Sequence, residues 1–191
     1  MKLSVIALLG VLVIYQASAD RLVLDDFEEP TGVSAIGTRW QGFTDRVMGG
    51  VSDMEAGYVR VDEGIALRMT GRVSLQNNGG FIQVRLPLAT NRGFFDASEY
   101  SGVALTVRGT EGRYALHLRT ARTRLPWSYY YAELPVGDSW TRIEVPFTSF
   151  EGDNMIGRKG PDVERLVSIA LVAGEEEFDA DVTVSEIEFY R

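Results

Sequence analysis

The sequence contains no cysteine and a single histidine. Without cysteine there is no disulfide, no thiolate zinc site, no cysteine nucleophile and no lipid attachment at a lipoprotein cysteine. One histidine excludes a multi-histidine metal centre. Cations are outnumbered as well: 19 Lys and Arg stand against 27 Asp and Glu, a formal charge of -8. A phosphate-backbone binder relying on overall charge is excluded on that balance, so no nucleic acid partner is expected. Long apolar runs are also missing. The longest, Leu3 to Tyr15, stops at Gln16, well short of the roughly 20 residues a spanning helix needs.

That run has a different meaning. Lys2 precedes it and Ala17-Ser18-Ala19 follows it, the charged, apolar and small-residue order of a secretory signal peptide. Cleavage after Ala19 is expected, making residues 1–19 a signal peptide and 20–191 a single domain. Removing Lys2 leaves 18 basic and 27 acidic residues, 18 − 27 = −9. The mature protein is expected to be acidic, exported to the periplasm or secreted, and without a membrane span. With no disulfide available outside the cytoplasm, its core alone must hold it.

The pattern that is present has a period of two. Val103-Ala104-Leu105-Thr106-Val107-Arg108 places apolar residues on one face, and Tyr114 to Arg119, Thr141 to Phe147 and Thr183 to Phe189 repeat the alternation, which marks half-buried strands. Further strands are expected at Leu22 to Phe27, Tyr58 to Val61, Ile65 to Thr70, Gly80 to Leu86, Trp127 to Leu134 and Leu166 to Val172. Turn signals at Asp62-Glu63-Gly64, Glu111-Gly112 and Pro135 to Asp138 separate them. About ten short strands, with no amphipathic helix beyond a turn at Pro161 to Arg165, predict an all-β fold: a two-sheet antiparallel β-sandwich, a jelly roll. Glu151 to Arg165, rich in glycine, reads as a long surface loop, and Glu175-Glu176-Glu177 as a solvated turn.

Two segments pair glycines with hydrogen-bonding side chains: Asp45-Arg46-Val47-Met48-Gly49-Gly50-Val51-Ser52 and Asn77-Asn78-Gly79-Gly80-Phe81. Such pairs suit a backbone that bends sharply or approaches another segment closely. Asp45 and Ser52 are expected to cap turns around the Gly49-Gly50 bend, with direct ligand contact by Asp45 or Arg46 as the alternative, and Asn77 and Asn78 to occupy left-handed turns. A third segment, Trp140 to Phe150, ends a strand on aromatic anchors. Trp40, Trp140, Phe147 and Phe150 are expected to pack on the core.

Taken in order, these segments resemble the complex I intermediate-associated protein 30 (CIA30) family. Its pattern falls here at Trp40, at Asp45 to Ser52 (with Asp45, Arg46, Met48, Gly49, Gly50 and Ser52 matching), at Gly71 to Ser74, and at Asn78, Gly79, Gly80 and Phe81. It continues at Tyr100 to Val103, Gly112 to Tyr114, Trp127 to Tyr131 and Trp140 to Phe150. The resemblance implies a galactose-binding-like jelly roll, a fold shared with carbohydrate-binding modules, and a role like that of mitochondrial members that assemble respiratory complex I.

Catalytic motifs are missing: His117 has no G-x-S-x-G elbow, and neither a phosphate loop nor G-x-G-x-x-G is present. No catalytic residue, cofactor or metal ligand is therefore expected. Asp25, Asp26 and Glu28 with Asp179 and Asp181 are the carboxylates a structural Ca²⁺ would use, but no ligand spacing defines a loop and they read as solvated surface. Outward strand positions carry the other candidates. Arg68, Gln83, Arg85, His117 and Arg119, with Trp127, Tyr129 and Tyr131, would form an exposed face for a polar ligand or partner, with Arg108 outward as well. The alternative is cross-strand pairing on a solvated sheet. The expected function is that of an exported, non-enzymatic protein that assists assembly or stability of a partner protein complex; the alternative is a carbohydrate-binding module recognising an envelope or extracellular glycan.

Overall fold

The computed structural model describes residues 21–62, 64–91, 93–125, 127–152 and 160–191. The expected signal peptide and the centre of the expected 151–165 loop lie outside them. The described residues form twelve strands: β1 (Arg21–Asp25), β2 (Gln41–Thr44), β3 (Glu55–Val61), β4 (Gly64–Val73), β5 (Phe81–Pro87), β6 (Gly102–Gly109), β7 (Tyr114–Thr120), β8 (Tyr130–Leu134), β9 (Thr141–Pro146), β10 (Glu151–Gly152), β11 (Leu166–Gly174) and β12 (Phe178–Tyr190). The first sheet runs β3-β4-β12-β6-β9, with β1 on β12 beyond the end of β4, and the second runs β10-β8-β7-β11-β5-β2. Every pairing is antiparallel. The expected all-β, two-sheet sandwich is what the chain forms.

Alternation determines which side chains enter the core. On β5, Ile82, Val84 and Leu86 are buried while Phe81, Gln83 and Arg85 are not; on β7 the buried positions are Tyr114, Leu116, Leu118 and Thr120. Each large aliphatic side chain buried this way contributes about 1.5–3 kcal/mol. The central strand β11 breaks the alternation, because its outward positions Ser168, Ala170 and Val172 are buried too. Small side chains there leave a trough between longer ones on β5 and β7.

Two edge strands, β2 and β10, escape a reading based on alternation, since each is very short and pairs on one side only. The strand expected at Trp127 begins instead at Tyr130. The Ser128 amide donates to the Leu125 carbonyl at 3.1 Å, so a turn uses the backbone that a ladder would need. Pro161 to Arg165 does contain a single 3-10 turn, at Val163–Arg165.

Near the chain's first strand, Phe27 takes a φ of 58°, a strained conformation for a bulky residue. Its amide donates to Asp25 Oδ1 at 3.0 Å and its ring lies 6.0 Å from that of Trp40, whose Nε1 donates to Asp25 Oδ2 at 2.7 Å. Asp25 is thus buried and internally bonded rather than solvated as expected. Burial outweighs these hydrogen bonds and raises its pKa. Nor do the five candidate carboxylates converge. Asp25 pairs with Ile187, while Asp181 pairs with Thr70, about 20 Å away along β12 at ~3.3 Å per residue. Among the described residues no group of three or more His, Cys, Asp or Glu is placed to hold a metal ion.

Candidate functional site: a groove over the second sheet

The glycine-rich segments meet at one buried carboxylate. Asp45 opens a 3-10 turn, Asp45–Met48, that Gly49 closes with a φ of 94°. From there the chain returns so that Ser52 donates to Asp45 twice, through its amide at 3.0 Å and its hydroxyl at 2.5 Å. The Gly80 amide adds a bond at 2.7 Å and the Phe81 amide one at 3.4 Å. A Cβ on Gly50 or Gly79 would collide with the same carboxylate. Burial alone would raise the Asp45 pKa, but the bonds from Ser52, Gly80 and Phe81 together hold it below the ordinary value. Arg46 donates through Nε to the Ser52 carbonyl at 2.9 Å. Asn77 and Asn78 are left-handed, with φ of 57° and 56°.

This node forms one wall of a groove of about 840 Å³ on the outward face of the second sheet. Its floor is a lattice set by strand register. One row reads Tyr131, His117, Ala170 and Arg85 across β8, β7, β11 and β5; the next reads Glu133, Ala115, Val172 and Gln83. Arg119 stands beside Ser168 at one end. At the opposite wall, the loop before β8 contributes Trp127 and Tyr129. Trp127 is 54% exposed, and the Tyr129 ring stacks on His117 at 3.9 Å with 10° between planes. Desolvation under that ring pushes the His117 pKa down to about 3, so the imidazole is neutral at ordinary pH.

The structure therefore gathers Gln83, Arg85, His117, Arg119, Trp127, Tyr129 and Tyr131 around one concavity. Met48, Gly79, Gly80 and Phe81 of the glycine segments line it as well. Arg68 does not join them. It lies on β4 of the first sheet, where Nε donates to Asp181 at 2.8 Å and Nη2 pairs with the other oxygen. Period-two reasoning places Arg68 outward correctly and cannot say from which sheet. Arg108 is on that first sheet also, over the Trp140 ring at 4.8 Å. Phe43, Val47, Ser168 and Ala170 line the groove without having been anticipated. The run of small outward residues on β11 is the signal that marks a groove floor.

A model of the complex I intermediate-associated protein 30 family matches residues 26–177. The chain belongs to that family. The Asp45 node, formed by residues 45 to 81, lies in the first half of the matched span. No match was found among curated protein sequences. Among solved structures, the family 11 carbohydrate-binding module from Clostridium thermocellum, in complex with a β-1,3-1,4-mixed-linked tetrasaccharide, aligns with a TM-score of 0.65 at 16% identity, covering 90% of this chain and 95% of the module. A family 30 carbohydrate-binding module of a Clostridium thermocellum cellulosomal cellulase aligns at 0.61 and 15%, covering 88% and 96%. An agarase aligns at 0.59 and 10%, covering 90% of this chain but 25% of the agarase. At these identities the likeness is one of fold: a galactose-binding-like jelly roll.

Proposed function

We propose that this CIA30-family protein is an exported, non-catalytic binding protein whose groove holds a glycan chain. The carrying observation is the groove itself, a trough floored by Ala115, Ser168, Ala170 and Val172, with Trp127 exposed beside the Tyr129–His117 stack. Small residues admit a flat ring, aromatic faces cover it, and Gln83 and the arginines offer hydrogen-bond donors. The tetrasaccharide complex of the family 11 module shows that this fold has accommodated such a ligand in another protein. Binding without catalysis fits a groove whose histidine is neutral and stacked rather than paired with a nucleophile. Export rests on residues 1–19, and N-terminal sequencing of the mature form should begin at Asp20; a retained Lys2 would overturn it.

Glycan-array and NMR titration of the mature protein should show saturable oligosaccharide binding that Trp127→Ala and Tyr129→Ala each weaken about tenfold or more. Unchanged binding in both variants would move the site elsewhere, and no binding to any oligosaccharide would sink the glycan reading. A second reading has independent support. Family members are named for association with complex I intermediates, and Val47, Met48, Val51 and Leu75 are exposed apolar side chains, the first two lining the groove, as a protein partner would require. Affinity capture from the envelope fraction that depends on Met48 but not on Trp127 would favour that reading.

A further inference from the structure

Two half-buried arginines in the groove have no carboxylate partner among the described residues, whereas several other arginines do. Arg68 pairs with Asp181, Arg113 with Glu133 and Glu175, and Arg142 with Glu188. Arg85 makes no ion pair or hydrogen bond with any described residue; its guanidinium lies over the Phe43 ring at 4.0 Å. Arg119 donates through Nη2 to the carbonyls of Thr123 and Leu125, each at 2.9 Å, while its Nε is buried with no partner. Neither meets a carboxylate of any described residue, although the chain has 27 acidic residues. Half-buried cations near one another are costly when uncompensated. Desolvation lowers both pKa values, and the charge of Arg119 lowers that of Arg85 further.

Their placement gives the cost a use. Arg85 and Arg119 stand on β5 and β7, one on each side of β11, with Ala170 and Ser168 between them. At ~4.8 Å between neighbouring strands, the backbones are about 10 Å apart across a floor of small side chains. A guanidinium presents a planar fork of donors that matches a carboxylate or sulfate. The acidic side chains that line the groove, Glu133 and Glu175, both pair with Arg113 and leave this end cationic.

We infer that the Arg85–Arg119 end of the groove is a subsite for the carboxylate or sulfate of an acidic oligosaccharide, with Trp127 and Tyr129 covering the sugar ring. This rests on the glycan reading and adds a charge requirement to it. The net charge of −8 repels polyanions at long range, so recognition is local and strongest where the Arg85 fork reaches the anion, with the Arg119 charge beside it.

The test is calorimetric titration of the mature protein at low ionic strength with tetragalacturonate, a sulfated galactan tetrasaccharide and a neutral mixed-linkage β-glucan tetrasaccharide. At least one acidic oligosaccharide should bind tenfold or more tightly than the neutral one, and 0.5 M NaCl should remove most of that preference. Comparison of the two acidic ligands distinguishes carboxylate from sulfate. Arg85→Gln should abolish the preference, and Arg85→Lys should retain part of it. NMR shift mapping on the unsubstituted protein should centre on Arg85, Ser168 and Arg119, a readout independent of how the variants fold. Equal or tighter neutral binding overturns the anionic subsite and leaves the glycan reading standing. Binding of none of the three overturns both, and an acidic preference that survives Arg85→Gln overturns the assignment to this arginine.

Discussion

Gly49 and Gly50 are neighbours with different duties. Gly49 needs a left-handed φ of 94° and has open space where a Cβ would stand. Gly50 has no such φ, but any Cβ would strike the Asp45 carboxylate. Gly49→Ala should therefore cost about 1 kcal/mol of backbone strain. Gly50→Val should cost about 1–3 kcal/mol by overpacking and by displacing a carboxylate that satisfies the buried amides of Ser52 and Gly80. Urea denaturation of both variants measures the difference. A Gly50→Val protein as stable as the unsubstituted one would mean that Asp45 moves aside freely and is no structural node.

At the scale of elements, the groove depends on how the β7–β8 connection is tied. Arg119, next to the last residue of β7, bonds the carbonyls of Thr123 and Leu125, and the Thr123 hydroxyl donates to the Thr120 carbonyl at 2.8 Å. These bonds set the path of the loop that presents Trp127 and Tyr129. Arg119→Met keeps much of the apolar stem and removes the ties. It should speed amide exchange across residues 121–129, while exchange in the core of β11 stays protected. Bonds from a charged donor contribute about 1.5–3 kcal/mol each at most, and partial exposure of this arginine reduces that. Unchanged exchange in the loop would show that its conformation is held from within.

For the molecule as a whole, acid titration opposes two sets of groups. His117 is depressed to about 3, below its ordinary 6.5, so the unfolded chain binds the proton first and stability falls as pH drops from about 6.5 toward 3. The lowered pKa values of Asp45 and of Asp181, the latter held down first by Arg68, add losses below their ordinary 3.8. Asp25 and Glu186 work the other way. Burial raises both, so the strain of keeping them charged is relieved as they protonate. His117→Gln should flatten the loss of stability between pH 6.5 and 5, followed by denaturation midpoints at each pH. Parallel profiles for the two proteins would show that the ring is protonated in the folded state and that Tyr129 does not seal it from water.

Much of this architecture is legible in one sequence because side chains on a strand alternate with a strict period. Ile82, Val84 and Leu86 declare the inner face of β5, and Gln83 and Arg85 the outer one, without any knowledge of neighbours. The glycine-rich segments likewise announce tight backbone, and their order along the chain identifies the family. Alternation is a local property, however, and does not say which strands are adjacent. Pairing across β11, which joins residues 85, 170 and 117 in one row, is decided by long-range packing of two sheets. The same packing sends Arg68 to the opposite sheet, brings Asp45 under the amides of Gly80 and Phe81, and leaves Arg85 and Arg119 facing one groove with no carboxylate of a described residue between them.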